Sequence, residues 1–221
     1  MATQRFNGSQ VHITKKSKFG AHLGTALLIV VVLGASGLGH YFYNDDPGLL
    51  KHVTDRDELC VFSALVYSHK GVPDAAVIPL RDGLEKGTDS FKKAAARALG
   101  TRKNKDMTAF LGHAATRDVD ATVRAAMVDA MAENGDVHIG NFVDKLVQDT
   151  DSRVRIAVAR LIGKLQLEHY IPALISMVGA SSMDGDAARA AKEALDAFLG
   201  DGRSFGFNAA EWTKWHDGEY D

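Results

Sequence analysis

The chain has 221 residues, of which 46% are hydrophobic, with 21 glycines and only 4 prolines, as expected for one globular or repeat domain with an additional segment. The formal net charge is −2, so the overall charge gives no indication of nucleic-acid binding. Cys60 is the single cysteine, which excludes an internal disulfide framework and a cysteine-rich zinc site.

The first part of the chain carries charge of one sign only. No Asp or Glu occurs before Asp45, whereas four bases lie in the same stretch: Arg5, Lys15, Lys16 and Lys18. Such an asymmetry indicates a membrane rather than a soluble partner. Residues 1–20 are polar and basic, and they are predicted to form a cytoplasmic arm.

Residues 21–43 predict a single transmembrane helix. The segment contains no Asp, Glu, Lys or Arg, its length suits the roughly 20 residues that cross a bilayer, and an aromatic belt closes it at Tyr41, Phe42 and Tyr43. The lysines ahead of it place the N-terminus in the cytoplasm. The expected location is therefore a bacterial inner membrane, with contact to lipid through residues 21–43 and the following domain in the periplasm.

Two further interpretations of this segment are open. It could be a cleaved secretory signal, although its apolar run is longer than a usual signal core, which favours an uncleaved anchor. Small residues also recur one turn apart, at Gly20, Gly24, Ala35 and Gly39. This spacing lets a second helix approach closely, but small residues are common in membrane helices without any packing role.

The remainder of the chain is predicted to be all-α. We expect a linker at 44–53, a repeat domain at 54–202 and an aromatic C-terminal cap at 203–221. Amphipathic runs at 54–68 and 74–86 predict a divergent first hairpin.

A repeated helix begins at Asp120 and again at Asp151. The two copies align without a gap, and looser copies begin at Thr88 and Asp184. A basic residue occupies the same position in each copy, at spacings of 32, 31 and 34 residues: Lys92, Arg124, Arg155 and Arg189. A period in this range is typical of a solenoid of helical hairpins.

Glycines and other turn-forming residues between the copies divide the domain into about five hairpins. The predicted pairs are 88–100 with 105–115, 120–132 with 139–148, and 151–163 with 168–178, followed by a helix at 184–199 and another at 209–216. Terminal repeats must shield the apolar end of the stack. Four aromatic residues are expected to do so: Phe205, Phe207, Trp212 and Trp215.

The motif Asp-x-x-Val-Arg-x-Ala, at 120–126 and 151–157, resembles the short HEAT-like repeats of bacterial proteins, a type also found in phycobilisome lyases. The resemblance implies that second helices line a concave, ligand-facing side. It also implies that the recurring Asp and Arg residues hold repeats together, namely Asp120, Asp151, Arg124, Arg155 and Arg189. Lys92 and Ala188 depart from the pattern, so this ladder could be incomplete at both ends.

No pattern in the sequence indicates catalysis, a cofactor or a metal. The nine histidines never pair with another His or Cys at the three- or four-residue spacing of ligands on one helix face. His22 and His40 border the predicted span, where haem or pigment ligation is an alternative to an ordinary interfacial ring. The basic run at 102–105 lacks aromatic residues, which favours a solvated turn over a nucleic-acid site.

The predicted function is that of a membrane-anchored scaffold or accessory subunit that binds other, membrane-associated protein subunits. The polar positions of the second helices are the predicted contacts: Lys105, His113, Asp144, Lys145, Gln148 and Glu168. One alternative is a structural subunit of a respiratory, photosynthetic or motor complex, in which residues 21–43 pack against other subunits. Another is an enzyme similar to the cofactor lyases, but kinship of fold alone does not transfer that activity.

Overall fold

A computed structural model of the chain describes residues 46–219. Within that range, no helix combines the length and the apolar character needed to cross a bilayer. The predicted arm at 1–20, the predicted span at 21–43 and its small residues Gly20, Gly24, Ala35 and Gly39 lie outside the described residues.

The described residues form eleven α-helices and one short 3-10 turn, and no β-strand occurs among them. The helices are α1 (Asp46–Asp55), α2 (Cys60–Lys70), α3 (Asp74–Lys86), α4 (Asp89–Gly100), α5 (Lys105–Ala115), α6 (Ala121–Asn134), α7 (Gly140–Leu146), α8 (Ser152–Leu165), α9 (Ile171–Gly179), α10 (Gly185–Leu199) and α11 (Ala209–His216), with the 3-10 turn at Glu168–Tyr170.

The helices stack in two layers. The first-helix layer consists of α2, α4, α6, α8 and α10, each packed against the next. The second-helix layer consists of α3, α5, α7, α9 and α11, and the first four of these pack against the first helix of the following repeat. The expectation of an all-α fold is confirmed for the described part of the chain, and the two layers are consistent with an α-solenoid.

The repeated helices begin where a polar side chain caps them. Thr88, Asp120, Asp151 and Asp184 each precede a first helix and accept a hydrogen bond from a backbone N–H of its first turn. Such caps satisfy backbone donors that have no partner within the helix. The recurring Asp of the sequence motif is therefore a helix cap.

Small residues let first helices approach one another closely. A Cβ added at Gly100 would lie 2.7 Å from the backbone oxygen of Ala130, and one at Gly163 would lie 2.8 Å from the Cβ of Ala194. Two pairs of neighbouring repeats thus meet at the same helix position. Native packing density leaves no room for a methyl group there.

The N-terminal boundary differs from expectation. Residues 46–55, most of the predicted linker, form α1, whose Leu49 and Val53 are buried. The helix predicted at 54–68 is interrupted because Arg56 adopts a left-handed conformation (φ 53°). Asp57 then accepts a hydrogen bond from the N–H of Leu59 (2.9 Å), which turns the chain into α2.

The helix predicted at 139–148 is shorter in the structure. It begins after a turn in which Asp136 accepts a hydrogen bond from the N–H of His138 (3.0 Å), and α7 ends at Leu146. Asp149 therefore lies outside the helix, where its carboxylate accepts a hydrogen bond from the N–H of Asp151 (2.9 Å). Local turns shorten α7 at both ends.

An aromatic cluster covers the C-terminal end of the stack. Trp212 is fully buried, and its indole Nε1–H donates to the carbonyl of Gly206 (3.0 Å). The rings of Phe205 and Trp215 meet Trp212 edge-on, at 4.9 and 5.7 Å between centroids. Phe207 is 52% exposed, so the prediction that it helps to shield the stack is wrong.

Candidate interaction surface

An ion pair links the third repeat to the fourth at the start of their first helices. Arg124 on α6 contacts both carboxylate oxygens of Asp149, with distances of 2.8 Å from Nε and 2.7 Å from an Nη. The same guanidinium donates to the backbone carbonyls of Asp118 and Val119. Bidentate geometry of this kind fixes orientation as well as charge.

Equivalent pairs join the adjacent repeats. The ammonium of Lys92 on α4 lies 2.7 Å from Asp118, and Arg155 on α8 binds Asp184 as well as the carbonyl of Asp149. We call these three pairs the ladder: Lys92–Asp118, Arg124–Asp149 and Arg155–Asp184. Their charged side chains are at most 25% exposed.

The ladder corrects the expected roles of three residues. Asp120 and Asp151 cap their own helices rather than bridging repeats. Arg189 pairs with Asp186 in its own helix (2.8 Å) and is well exposed, so its predicted role in holding repeats together is wrong. Lys92 does form a rung despite departing from the motif. The sequence motif does not include the bridging partners Asp118 and Asp149, although each lies two residues before a capping Asp.

Two of the ladder carboxylates, Asp149 and Asp184, are stabilised in their charged form. Burial acts to raise the pKa of Asp149, but the hydrogen bonds from Arg124 and from the N–H of Asp151 outweigh burial and lower it. Burial likewise opposes the hydrogen bonds from Ser152 and Arg155 at Asp184, whose pKa is also lowered. Hydrogen bonding to the anion explains both shifts.

The predicted contact residues all lie on or beside second helices, with exposed side chains: Lys105, His113, Asp144, Lys145, Gln148 and Glu168. His113 and Asp144 are positioned by aromatic neighbours. The ring of His113 meets Phe142 edge-on, with centroids 5.0 Å apart. Asp144 accepts a hydrogen bond from the hydroxyl of Tyr170 (3.0 Å).

Aromatic side chains connect consecutive repeats along the second-helix layer. We call Phe110, Phe142 and Tyr170 the aromatic row. The guanidinium of Arg81 lies 4.2 Å from the centroid of the Phe110 ring, and Phe142 occupies the space that a Cβ at Gly112 would need.

The third member of the row joins the repeats through its hydroxyl. The hydroxyl of Tyr170 donates to the carbonyl of Gly140 (3.0 Å). Burial, followed by the hydrogen bond to Asp144, raises the pKa of Tyr170 to about 12. Its hydroxyl is therefore a neutral donor at physiological pH.

The row was not anticipated from the sequence. Its three residues do not recur at one spacing, and each takes a different partner in the preceding repeat. Phe110 and Phe142 remain partly exposed. The second-helix layer therefore presents partly exposed aromatic rings beside charged side chains.

The net charge of successive repeats alternates in sign. Residues 46–87 have seven acids and five bases, 88–118 three acids and seven bases, 119–149 six and two, 150–183 two and four, and 184–219 eight and four. Asp118 and Asp149 end the segments that contain Lys92 and Arg124, so only the Arg155–Asp184 pair joins two of these oppositely charged segments.

Cys60 and the acidic and histidine side chains are the groups in the described residues that the sequence offers as candidates for chemistry. The described part of the chain contains no group of three or more His, Cys, Asp or Glu side chains arranged to hold a metal ion. Cys60 is buried, and burial raises the pKa of its thiol, which disfavours the reactive thiolate.

A comparison with known families agrees with the architecture. Residues 114–196 match the family model for HEAT repeats. The matched segment runs from the end of α5 into α10, and it contains two rungs of the ladder and two members of the aromatic row. No curated protein matches the chain.

The match supports a HEAT-like repeat protein, in agreement with the helical stack of the structure. HEAT repeats generally mediate interactions between proteins. The rest of the chain lies outside the matched segment.

Proposed function

We propose that this protein is a membrane-anchored HEAT-like scaffold that binds a protein partner through its second-helix layer. The observation that carries the proposal is the aromatic row, because it joins consecutive repeats and also leaves Phe110 and Phe142 partly exposed beside charged side chains. Aromatic residues in a fixed setting are typical of binding hot spots. Lys105, His113, Asp144, Lys145, Gln148 and Glu168 would supply the polar contacts around them.

The proposed mechanism is equilibrium recognition without catalysis. The ladder and the close helix contacts at Gly100 and Gly163 keep neighbouring repeats in fixed positions. A preformed surface loses little conformational entropy on binding. The stack can therefore engage a partner without first having to order itself.

The proposed tether is the apolar segment at 21–43, with the repeats in the periplasm. Confinement to a membrane raises the effective concentration of a partner in the same membrane. A periplasm-dependent reporter fused to the C-terminus tests the orientation. We expect the fusion to be active, and a fusion active only in the cytoplasm would contradict this topology.

Capture of the partner tests the binding function. The full chain, purified through its C-terminus from membranes in mild detergent, should retain a protein that is identified by mass spectrometry. We expect His113→Asp combined with Lys145→Glu to lose this protein, because both changes reverse or remove favourable contacts on the second-helix layer. Arg189→Glu changes a charge on the first-helix layer and is the matched control.

Retention by the double variant, or loss in the control as well, would contradict the assignment of the surface. A second variant, in which a generic leucine-rich span replaces residues 21–43, tests whether this segment acts only as an anchor. Capture that survives the replacement supports a simple anchor. Loss of capture identifies the span itself as a contact surface, as in a structural subunit.

A further inference from the structure

A cleft of about 580 Å³ lies between two turns of the stack, the one that follows α2 and the one that follows α4. Its lining comes from residues 68–72 and 101–104. We propose that this turn cleft binds the carboxylates of an acidic peptide segment. The proposal rests on the proposed function only in taking the ligand to be part of a protein.

The lining of the turn cleft is basic. Four of its nine residues are His69, Lys70, Arg102 and Lys103, and no Asp or Glu is among them. The surrounding repeat, residues 88–118, has seven bases against three acids. Clefts lined by charge of one sign concentrate the field and attract ligands of the opposite sign.

Two of the bases hold the cleft in shape. Arg102 donates to the carbonyl of Val72 (2.8 Å) and pairs with Asp74 (2.7 Å), so it fastens one turn to the other. Lys70 pairs with Asp46. The side chain of Asp74 is 92% exposed, and an exposed pair of this kind contributes little. A carboxylate of the ligand can therefore share the guanidinium of Arg102.

Lys103 is the base most available to a ligand. It is exposed, and among the described residues its charge acts at longer range on Glu133, whose carboxylate is paired with Lys164. His69 and Lys70 lie in the last turn of α2, where the helix dipole already favours basic residues. Lys103 lies in the turn between the end of α4 and the start of α5. The N-terminal dipole of α5 adds to its positive potential.

The size of the cleft favours a peptide over an inorganic anion. Its volume is many times the roughly 30 Å³ that one water occupies in the liquid. The basic residues come from two different turns, His69 and Lys70 from one and Arg102 and Lys103 from the other. Carboxylates spaced along an extended peptide suit this arrangement.

A titration with a defined probe tests the proposal. The probe is a fluorescein-labelled peptide of alternating Glu and Gly, and fluorescence anisotropy follows its binding to the purified full chain at low ionic strength. We expect Lys103→Glu to weaken binding by about tenfold, the equivalent of one favourable contact. Binding should also weaken as salt is added, because screening shortens the range of the attraction.

Arg117→Glu is the matched control. Arg117 belongs to the same repeat, is exposed and makes the same change of charge, but it lies in the turn between α5 and α6, away from the cleft. We expect this variant to bind the probe within about twofold of the unaltered chain, as is usual for a distant exposed charge. Thermal unfolding by circular dichroism confirms that both variants are folded.

Three results would overturn the proposal. Equal weakening by both variants would show diffuse attraction to a basic repeat, and displacement of the probe by an equal concentration of inorganic phosphate would identify a small-anion site. Failure of the unaltered chain to bind the probe would exclude the cleft as an acidic-peptide site. The titration contains no cellular partner, so its failure is distinguishable from failure of the capture experiment on the second-helix layer.

Discussion

Arg124 and Asp149 show how a single pair of side chains holds two repeats in register. Their side chains are 14% and 12% exposed, and the guanidinium also satisfies two backbone carbonyls. Removing one partner of such a pair leaves the other charge buried and unpaired, which costs more than the pair itself contributes.

Arg124→Ala should therefore lower the free energy of unfolding by about 2–4 kcal/mol. Arg189→Ala removes an exposed pair within one helix and should cost less than about 0.5 kcal/mol. Urea denaturation of both variants measures the difference. Similar losses in the two would show that the ladder does not stabilise the stack.

Asp149 and Asp184 also predict how stability depends on pH. Their pKa values are lower in the folded protein than the ordinary value of 3.8, and hydrogen bonds from Arg153 lower the pKa of the exposed Asp151 to about 2. A lowered pKa means that the folded state favours the anion. The stabilisation is thus complete above the unfolded pKa and is lost as pH falls through the folded values.

We expect the melting temperature to fall between about pH 4 and pH 2, where these groups become protonated. Asp149→Asn should lower the melting temperature at neutral pH, because the amide cannot replace the anion beside Arg124. The variant and the unaltered chain should converge at the acid end. A difference that stays constant across this range would show that Asp149 does not titrate as a paired carboxylate.

At the scale of the helices, the sequence predicted most of the fold because each first helix carries its own signals. A capping Asp or Thr and a regular apolar face define α4, α6, α8 and α10 within a few residues. The break at Arg56 was not predictable in the same way, since a left-handed arginine has no distinct sequence signal.

The candidate surface was less predictable than the helices. His113 and Asp144 were expected on second helices, but their aromatic neighbours Phe142 and Tyr170 depend on how two repeats are placed against each other. The partner of Arg124 lies 25 residues away and is brought close by the early end of α7. Contacts between repeats depend on turn geometry, which a helical period does not specify.

Gly163 tests the close packing between first helices. Alanine has the higher helix propensity, by about 1 kcal/mol in an exposed helix. At Gly163, however, the new Cβ would meet Ala194 at 2.8 Å, so the two helices would have to separate. We expect Gly163→Ala to lower the free energy of unfolding by about 1–3 kcal/mol, as for other overpacked cores.

Gly185→Ala is the matched control for that change. Gly185 begins α10, and a Cβ there would have no neighbour within 4 Å. This substitution should leave stability unchanged or raise it by about 0.5 kcal/mol. Chemical denaturation of both variants compares them directly. A stable Gly163→Ala protein would show that the first-helix layer can expand at no cost.

At the scale of the described stack, charges of alternating sign lie at equivalent positions of neighbouring first helices. The residue nine positions after each helix cap is alternately basic and acidic: Arg97, Asp129, Arg160 and Glu193. Burial raises the pKa of Asp129, and the positive charges of Arg160 and Arg97 act in the opposite direction. Exposed charges of opposite sign on neighbouring helices attract each other, whereas charges of the same sign at these positions would be unfavourable.

Reversing one charge in this series of four residues should lower the free energy of unfolding by an amount that depends on the salt concentration. Asp129→Arg would place three bases in succession, so we expect a loss of about 0.5–1 kcal/mol at low salt. Glu193 is the last residue of this series and has one basic neighbour in it, Arg160. Glu193→Arg should therefore lower the free energy of unfolding by about half as much as Asp129→Arg. Denaturation in about 1 M salt, where the screening length is near 3 Å, should abolish both losses. A loss that persists in high salt would assign Asp129 a role in packing and would show that charge alternation does not stabilise the stack.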